Sequence, residues 1–365
     1  MKKILVSFGT RPEIIKLAPV IKSLSKSGFD VRVIHTGQHR ELIEPMLTLF
    51  DIRPDINFNI MKPGQDLFDL TETLTAKFKE VLTAEQPDYV MVQGDTTSAF
   101  VAALSAFYLK IQVLHIEAGL RSQNHYYPFP EEGNRTLISH LATFHFAPTS
   151  LNKENLLKEG LPDERIFITG NTVIDALKLI RQSEQFSASK PDILSQITPD
   201  RKLIVLTAHR RENHGKPFSN ILKAVGELLK NHENIEVIFP AHPSPAVQQA
   251  IENSGIQNPR FHITKPFDYL SFLHILLRAD LILTDSGGIQ EEASSLGKPV
   301  VVLRNETERQ ELISSGLGKL AGTDPQKILK TANHYLQSNA ELKPEAIFGD
   351  GNAAEKISAI LRDLK

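Results

Sequence analysis

Three acidic positions in the first half of the chain sit where strand-like runs or loops end. Asp95 lies in Gly94-Asp95-Thr96-Thr97, behind the apolar run Tyr89 to Val92. Glu117, in Glu117-Ala118-Gly119-Leu120-Arg121-Ser122, follows Val113 to Ile116. Glu131, in Phe129-Pro130-Glu131-Glu132-Gly133-Asn134-Arg135, opens a helical pattern with acids in its first turn. A carboxylate at the end of a buried strand costs free energy unless it is paired or used. Moving a proton on and off carbon requires a base and an acid in fixed positions, a task suited to carboxylates of raised pKa. Each site also has a plain reading, as a helix N-cap or as acids complementing a helix dipole.

The second half carries a different chemistry. Thr284-Asp285-Ser286-Gly287-Gly288-Ile289-Gln290-Glu291-Glu292 follows the apolar run Leu281 to Leu283 and leads into helix formers from Gln290 to Leu296. A strand, a Ser-Gly-Gly turn and a helix in that order aim backbone N–H groups and a positive helix end at one point. A diphosphate suits such a cradle, although an N-cap followed by a turn accounts for the same residues. Cations stand in comparable places. Arg11 and Lys16 flank the start of the first helix, and His209-Arg210-Arg211 follows the run Leu203 to Leu206. Arginine recognises phosphate through its planar fork. His242, Thr307-Glu308-Arg309 and Phe348-Gly349-Asp350-Gly351 occupy later loops, where a structural role is equally open. His35 and His39 lack a partner set with metal-ligand spacing, so no metal site is expected.

Composition narrows the class. The chain has 365 residues, 41% hydrophobic content, a formal net charge of −2 and no cysteine. Disulfides, thiolate metal sites and cysteine nucleophiles are thereby excluded, and bulk charge gives no sign of nucleic-acid binding. No stretch approaches the ~18 apolar residues of a membrane span, and the short apolar start is no signal peptide. A cytoplasmic enzyme is expected.

The elements that must position these residues alternate. Ile4 to Phe8 reads as a first strand, and Ile14 to Leu24 has helical period, ended by Gly28. Val31 to His35, Tyr89 to Val92, Val113 to Ile116 and Phe144 to Ala147 are further strands with helical patterns between them. A polar stretch, Ser183 to Asp200, reads as a linker or surface excursion. A second series then runs through Leu203 to Leu206, Val237 to Phe239, Phe261 to Ile263, Leu281 to Leu283 and Val300 to Leu303. Such alternation implies an α/β chain with parallel sheets covered on both faces, whose ligands lie at the carboxyl ends of the strands. Two doubly wound, Rossmann-like domains facing across a cleft are expected.

The ordered series GTRPEIIK, HTGQH, GDTT, HIEAGLRS, PFPEEGNR, GNTVIDA, TAHRREN, TDSGGIQEEA and FGDG, from residue 9 to residue 351, resembles the non-hydrolysing UDP-N-acetylglucosamine 2-epimerases. The resemblance implies the GT-B architecture, with an N-terminal domain over 1–170 and a UDP-binding domain over 171–347. It also implies a last helix, about 348–365, that packs back on the first domain. By the same resemblance Asp95, Glu117, Glu131 and His209 are catalytic. Arg11, Lys16, Phe272, Ser286, Gly287, Gly288, Glu292 and Arg309 bind the nucleotide sugar. Gln38, His39, Gln65, Arg210 and His242 match an effector site of some members, with Glu41 and Gly64 departing from those members and implying weak effector dependence. The expected partners are UDP-N-acetylglucosamine and UDP-N-acetylmannosamine, with no cofactor, no nucleic acid and a homodimeric state. An epimerase of a related UDP-linked acetamido sugar, a GT-B glycosyltransferase and a catalytically silent sensor are the other readings.

Overall fold

A computed structural model describes residues 1–38, 40–62, 64–208, 210, 213, 215–337 and 347–364, with the side chains of 40–42 outside the description. The chain divides into two compact units, Met1–Leu179 with Phe348–Lys365, and Ile180–Ile347.

The first unit is built on seven parallel strands in the order β3-β2-β1-β4-β5-β6-β7. They are β1 (Lys3–Phe8), β2 (Asp30–His35), β3 (Ile56–Asn57), β4 (Tyr89–Gln93), β5 (Gln112–Ile116), β6 (Phe144–Ala147) and β7 (Ile166–Ile168). The helices are α1 (Arg11–Lys26), α2 (Arg40–Phe50), α3 (Leu67–Glu85), α4 (Thr97–Tyr108), α5 (Glu131–Leu141), α6 (Ser150–Lys158) and α7 (Thr172–Arg181). Ile4, Leu5 and Val6 are completely buried, as befits a central strand covered on both faces. The register Ile4↔Tyr89 and Val6↔Met91 sets β1 beside β4. Strand order reverses there, so the loops after β1 and β4 diverge to opposite faces and leave a crevice.

The second unit holds six parallel strands in the order β10-β9-β8-β11-β12-β13. They are β8 (Lys202–Thr207), β9 (Ile235–Pro240), β10 (Phe261–Thr264), β11 (Leu281–Thr284), β12 (Val300–Val302) and β13 (Gly318–Leu320). Its helices are α8 (Glu184–Ala188), α9 (Ile193–Gln196), α10 (Lys216–Asn231), α11 (Pro245–Ser254), α12 (Tyr269–Arg278), α13 (Gly287–Ser295), α14 (Gln310–Ser314) and α15 (Pro325–Gln337). Here order reverses between β8 and β11, which pair from Leu281↔Ile204 to Thr284↔Thr207.

The stretch from 183 to 200, read above as a linker or surface excursion, is a packed part of this unit. Phe186 of α8 stacks on His274 of α12 at 3.9 Å, and the His274 ring nitrogen donates to the Phe186 carbonyl. Ser271 donates to the Ser189 carbonyl, and Thr198 N–H to Glu236. One aromatic anchor and a few hydrogen bonds suffice, which is why no period betrays the segment.

The chain closes with α16 (Ala353–Asp363), which lies on α1 of the first unit. Ala353, Ala354, Ile357 and Leu361 are buried, and Ser358 donates to Ser23. The Asp175 carboxylate accepts the N–H groups of Ala353 and Ala354 at 3.2 and 2.9 Å, capping α16 from α7.

Candidate active site

Glu117 follows the last residue of β5 and has φ of +66°, in the left-handed region that side chains avoid. Holding a non-glycine residue there costs on the order of 1–3 kcal/mol, and such strain collects at functional sites. The side chain is buried. Its carboxylate pairs with Lys16 of α1 and accepts from the amide of Gln93, the last residue of β4. A third donor, Asn171 Nδ2, reaches it at 3.2 Å. A buried carboxylate requires such partners, because the desolvation cost of an uncompensated charge is several kcal/mol. Lys16, expected beside phosphate, is thus placed on a carboxylate.

Asp95, half-buried after β4, receives the guanidinium of Arg135 from α5, with Nε at 3.0 Å. Arg135 also binds Glu132 at 3.0 Å, and Asn134 donates to the Asp95 carbonyl. Glu132 accepts the Ser122 N–H and is buried, whereas Glu131 is half-buried at the start of α5. The cap of α4 is Thr96, which accepts the N–H of Ala99, so Asp95 is not spent on capping.

Glu13 escaped the sequence reading. Its carboxylate accepts from Gly9 N, Thr10 N and Thr10 Oγ1 on the β1–α1 turn, and from Thr96 Oγ1 at 2.8 Å on the β4–α4 turn. It therefore ties together the two loops that flank the reversal of strand order. Burial pushes its pKa up, against the pull of those hydrogen bonds. The spacing Thr10-x-x-Glu13 was the available signal, since it is a capping box. Arg11 stands half-buried at the first position of the same helix.

In the second unit the structure corrects the position of a helix start. Gly287 and Gly288 are the first residues of α13, with Ser286 as N-cap, rather than a turn ahead of a helix at Gln290. The first N–H groups of a helix have no intrahelical acceptor and carry the positive end of its dipole. The Ser286 N–H donates to Thr284 Oγ1, itself 2.7 Å from Thr207 Oγ1 on β8. Asp285 is buried and accepts Arg210 N–H at 3.0 Å and Asn213 Nδ2 at 2.8 Å, tying the loop after β8 to the cradle. Gly287 is dictated by packing: a Cβ there would stand 2.6 Å from an Arg309 guanidinium nitrogen. Arg309 is buried and ion-paired with Glu291 and Glu308. Glu292 accepts from the Tyr269 hydroxyl at 2.7 Å.

Among the described residues no cluster of His, Asp and Glu fits a metal ion, and no helix is long and apolar enough to cross a membrane. The family model for UDP-N-acetylglucosamine 2-epimerase matches residues 22–362. The UDP-N-acetylglucosamine 2-epimerase of Escherichia coli (strain K12) is 43% identical over 370 residues, covering 99% of this chain and 98% of its own. The chain belongs to the UDP-N-acetylglucosamine 2-epimerase family.

Two solved structures resemble the chain over nearly its whole length. The Neisseria meningitidis UDP-GlcNAc 2-epimerase bound to UDP-GlcNAc has a TM-score of 0.92 and 42% identity, covering 99% of this chain and 100% of that one. The MnaA–UDP structure from S. aureus has a TM-score of 0.91 and 40% identity, over 100% and 96%. Both likenesses span both units, so the two-sheet α/β fold is that of the family.

The remaining expected residues divide between the units. Gln38 accepts from Ser98 in the first unit, where Gln65 is half-buried. Arg210, half-buried Phe272 on α12 and exposed His242 belong to the second. His209, His39 and the Glu41 side chain lie outside the described residues. Besides Glu13, sequence reading gave no role to Gln93, Arg135, Asn171 or Tyr269, each of which contacts an expected site residue.

Proposed function

We propose that the chain interconverts UDP-N-acetylglucosamine and UDP-N-acetylmannosamine without net hydrolysis. The supporting observation is Glu117: a strained, buried carboxylate beside Lys16 at a strand end, in a chain of this family. In the proposed reaction a base removes the proton from C2 while the C1–O bond breaks, its electron pair leaving with UDP. The C2–H electrons form the C1=C2 bond of a 2-acetamidoglucal. A proton then adds to the opposite face of C2, and UDP returns to C1. Proton transfer falls to Asp95, Glu117 and Glu131, since both faces of C2 must be served. Ser286, Gly287 and Gly288 hold the diphosphate through the α13 N-terminus, Glu292 takes the ribose, and His209 and Arg11 stabilise charge on the leaving group. Arg309 acts from behind Gly287. The steps are redox-neutral and call for no cofactor.

In this reading the second unit, Ile180–Ile347, is the UDP-binding half and the first, Met1–Leu179 with Phe348–Lys365, the proton-transfer half. The product feeds a route that consumes N-acetylmannosamine for surface polysaccharide. A cytoplasmic homodimer completes the proposal. The test is proton NMR of UDP-N-acetylglucosamine with enzyme in D2O. Deuterium at C2 with growth of the manno epimer is expected, and an unchanged spectrum would sink the reading.

A further inference from the structure

The segment Phe348-Gly349-Asp350-Gly351 meets the turn after β7 at backbone level. Gly170 and Gly349 have φ of +96° and +114°. A Cβ on Gly349 would stand 2.9 Å from the Gly170 Cα, and one on Gly170 would stand 3.2 Å from the Gly349 Cα. The Asn171 N–H donates to the Phe348 carbonyl at 2.6 Å, and Phe348 is itself buried. The Asn171 side chain then works at both ends. Its Oδ1 accepts the Val173 N–H at 3.1 Å, at the start of α7, while Nδ2 donates to Glu117 Oε1 at 3.2 Å.

We propose that Asn171 is a positioning residue for Glu117, and that the segment from Phe348 to Gly351 is the clamp that holds Asn171 in place. Where turnover is concerned, the inference rests on the function proposed above. The backbone at Glu117 fixes the direction of its Cβ, so side-chain rotation is the freedom left to control. Lys16 from α1, Gln93 from β4 and Asn171 face the carboxylate. Lys16 supplies charge. An amide instead supplies a donor that keeps its proton, orienting the carboxylate without competing for the proton it transfers. Because one planar amide both caps α7 and binds Glu117, turning it away from Glu117 loses the cap as well.

That double duty provides the test. Aspartate caps a helix as well as asparagine does. Asn171→Asp therefore keeps the acceptor for Val173 and sets an oxygen, not an N–H, against Glu117. Asn171→Ser keeps a capping oxygen and removes the donor without adding charge, and decides the matter if the aspartate variant does not fold. The Glu117 carboxyl is followed by 13C NMR on glutamate labelled at the side-chain carboxyl, its resonance assigned by its loss in Glu117→Gln. A like charge, or the loss of a donor to the charged form, raises a carboxyl pKa. We expect the Glu117 titration to move up in both variants, further in Asn171→Asp. With UDP affinity kept, kcat should fall at least about ten-fold. An unmoved Glu117 titration in a folded variant overturns the inference, as does an unchanged kcat. Absence of epimerisation by the wild type would instead overturn the functional reading, leaving the titration to decide the role of Asn171.

Discussion

At the scale of single residues, two of the three candidate acids of the first unit, Glu117 and Asp95, are held differently. Glu117 is enclosed by a lysine and two amides, whereas Asp95 is half-buried and bound by one arginine fork. Asp95→Asn should therefore fold normally, because Arg135 retains Glu132 at 3.0 Å. Losing a general acid or base costs roughly 10²–10⁴-fold in rate. We expect turnover to drop by that factor with UDP affinity and thermal midpoint near wild type, checked by kcat, calorimetry and circular dichroism. Near-normal turnover would remove Asp95 from proton transfer. Both acids were legible in the sequence because each follows an apolar run. Their partners were not, since Arg135 lies 40 residues from Asp95 and Asn171 lies 54 from Glu117. Pairings of that separation are set by the order of strands in the sheet, which no local pattern encodes.

At the scale of elements, the two glycines that open α13 separate packing from binding. A Cβ on Gly287 collides with Arg309, while one on Gly288 meets no described atom within 4 Å. Gly287→Ala should displace the guanidinium from a buried network with Glu291 and Glu308, lowering both the thermal midpoint and UDP affinity. Gly288→Ala should leave the midpoint unchanged or slightly raised, since alanine is about 1 kcal/mol better than glycine within a helix. It should weaken UDP only, by crowding the anion. Equal thermal losses in the two variants would contradict this division. Most strands were readable from sequence, including those marked by three-residue runs such as Val237 to Phe239, Phe261 to Ile263 and Leu281 to Leu283. The edge strands β3, β7 and β13, each two or three residues long, were not, because so short a run carries no period and is defined by its pairing with one neighbour. The start of α13 was misread for a related reason: glycine disfavours helix interiors, and here the demand of Arg309 for space overrides propensity.

At the scale of the whole molecule, each sheet has its own buried core, and the return of α16 to the first unit adds a buried face to α1. Within the first unit His115 and His145 stand opposite each other on β5 and β6. Both are buried, His115 bound through Nε2 to the Gly94 carbonyl that precedes Asp95. Burial pushes His115 down to about 4, with Arg121 and Arg135 adding positive potential. Burial pushes His145 down to about 3, reinforced by His115 and Arg121. Both are neutral in the folded protein at pH values where an unfolded chain, with histidine near its ordinary 6.5, binds protons. The unfolded state thus gains protons first as pH falls, so stability is full above about 6.5 and declines towards the folded values. Glu13 and Asp175, both raised by burial, act in the opposite sense, losing stability as pH rises through their folded pKa values. Comparing variants with the wild type isolates the histidines from them. Between about pH 7 and pH 5 each histidine should account for roughly 2 kcal/mol of lost stability. His115→Gln, which keeps a donor for Gly94, and His145→Met should each flatten the pH dependence by about that amount, read from denaturant unfolding of the first unit at both pH values. A wild-type slope that survives both substitutions would show that these imidazoles do not govern its acid sensitivity.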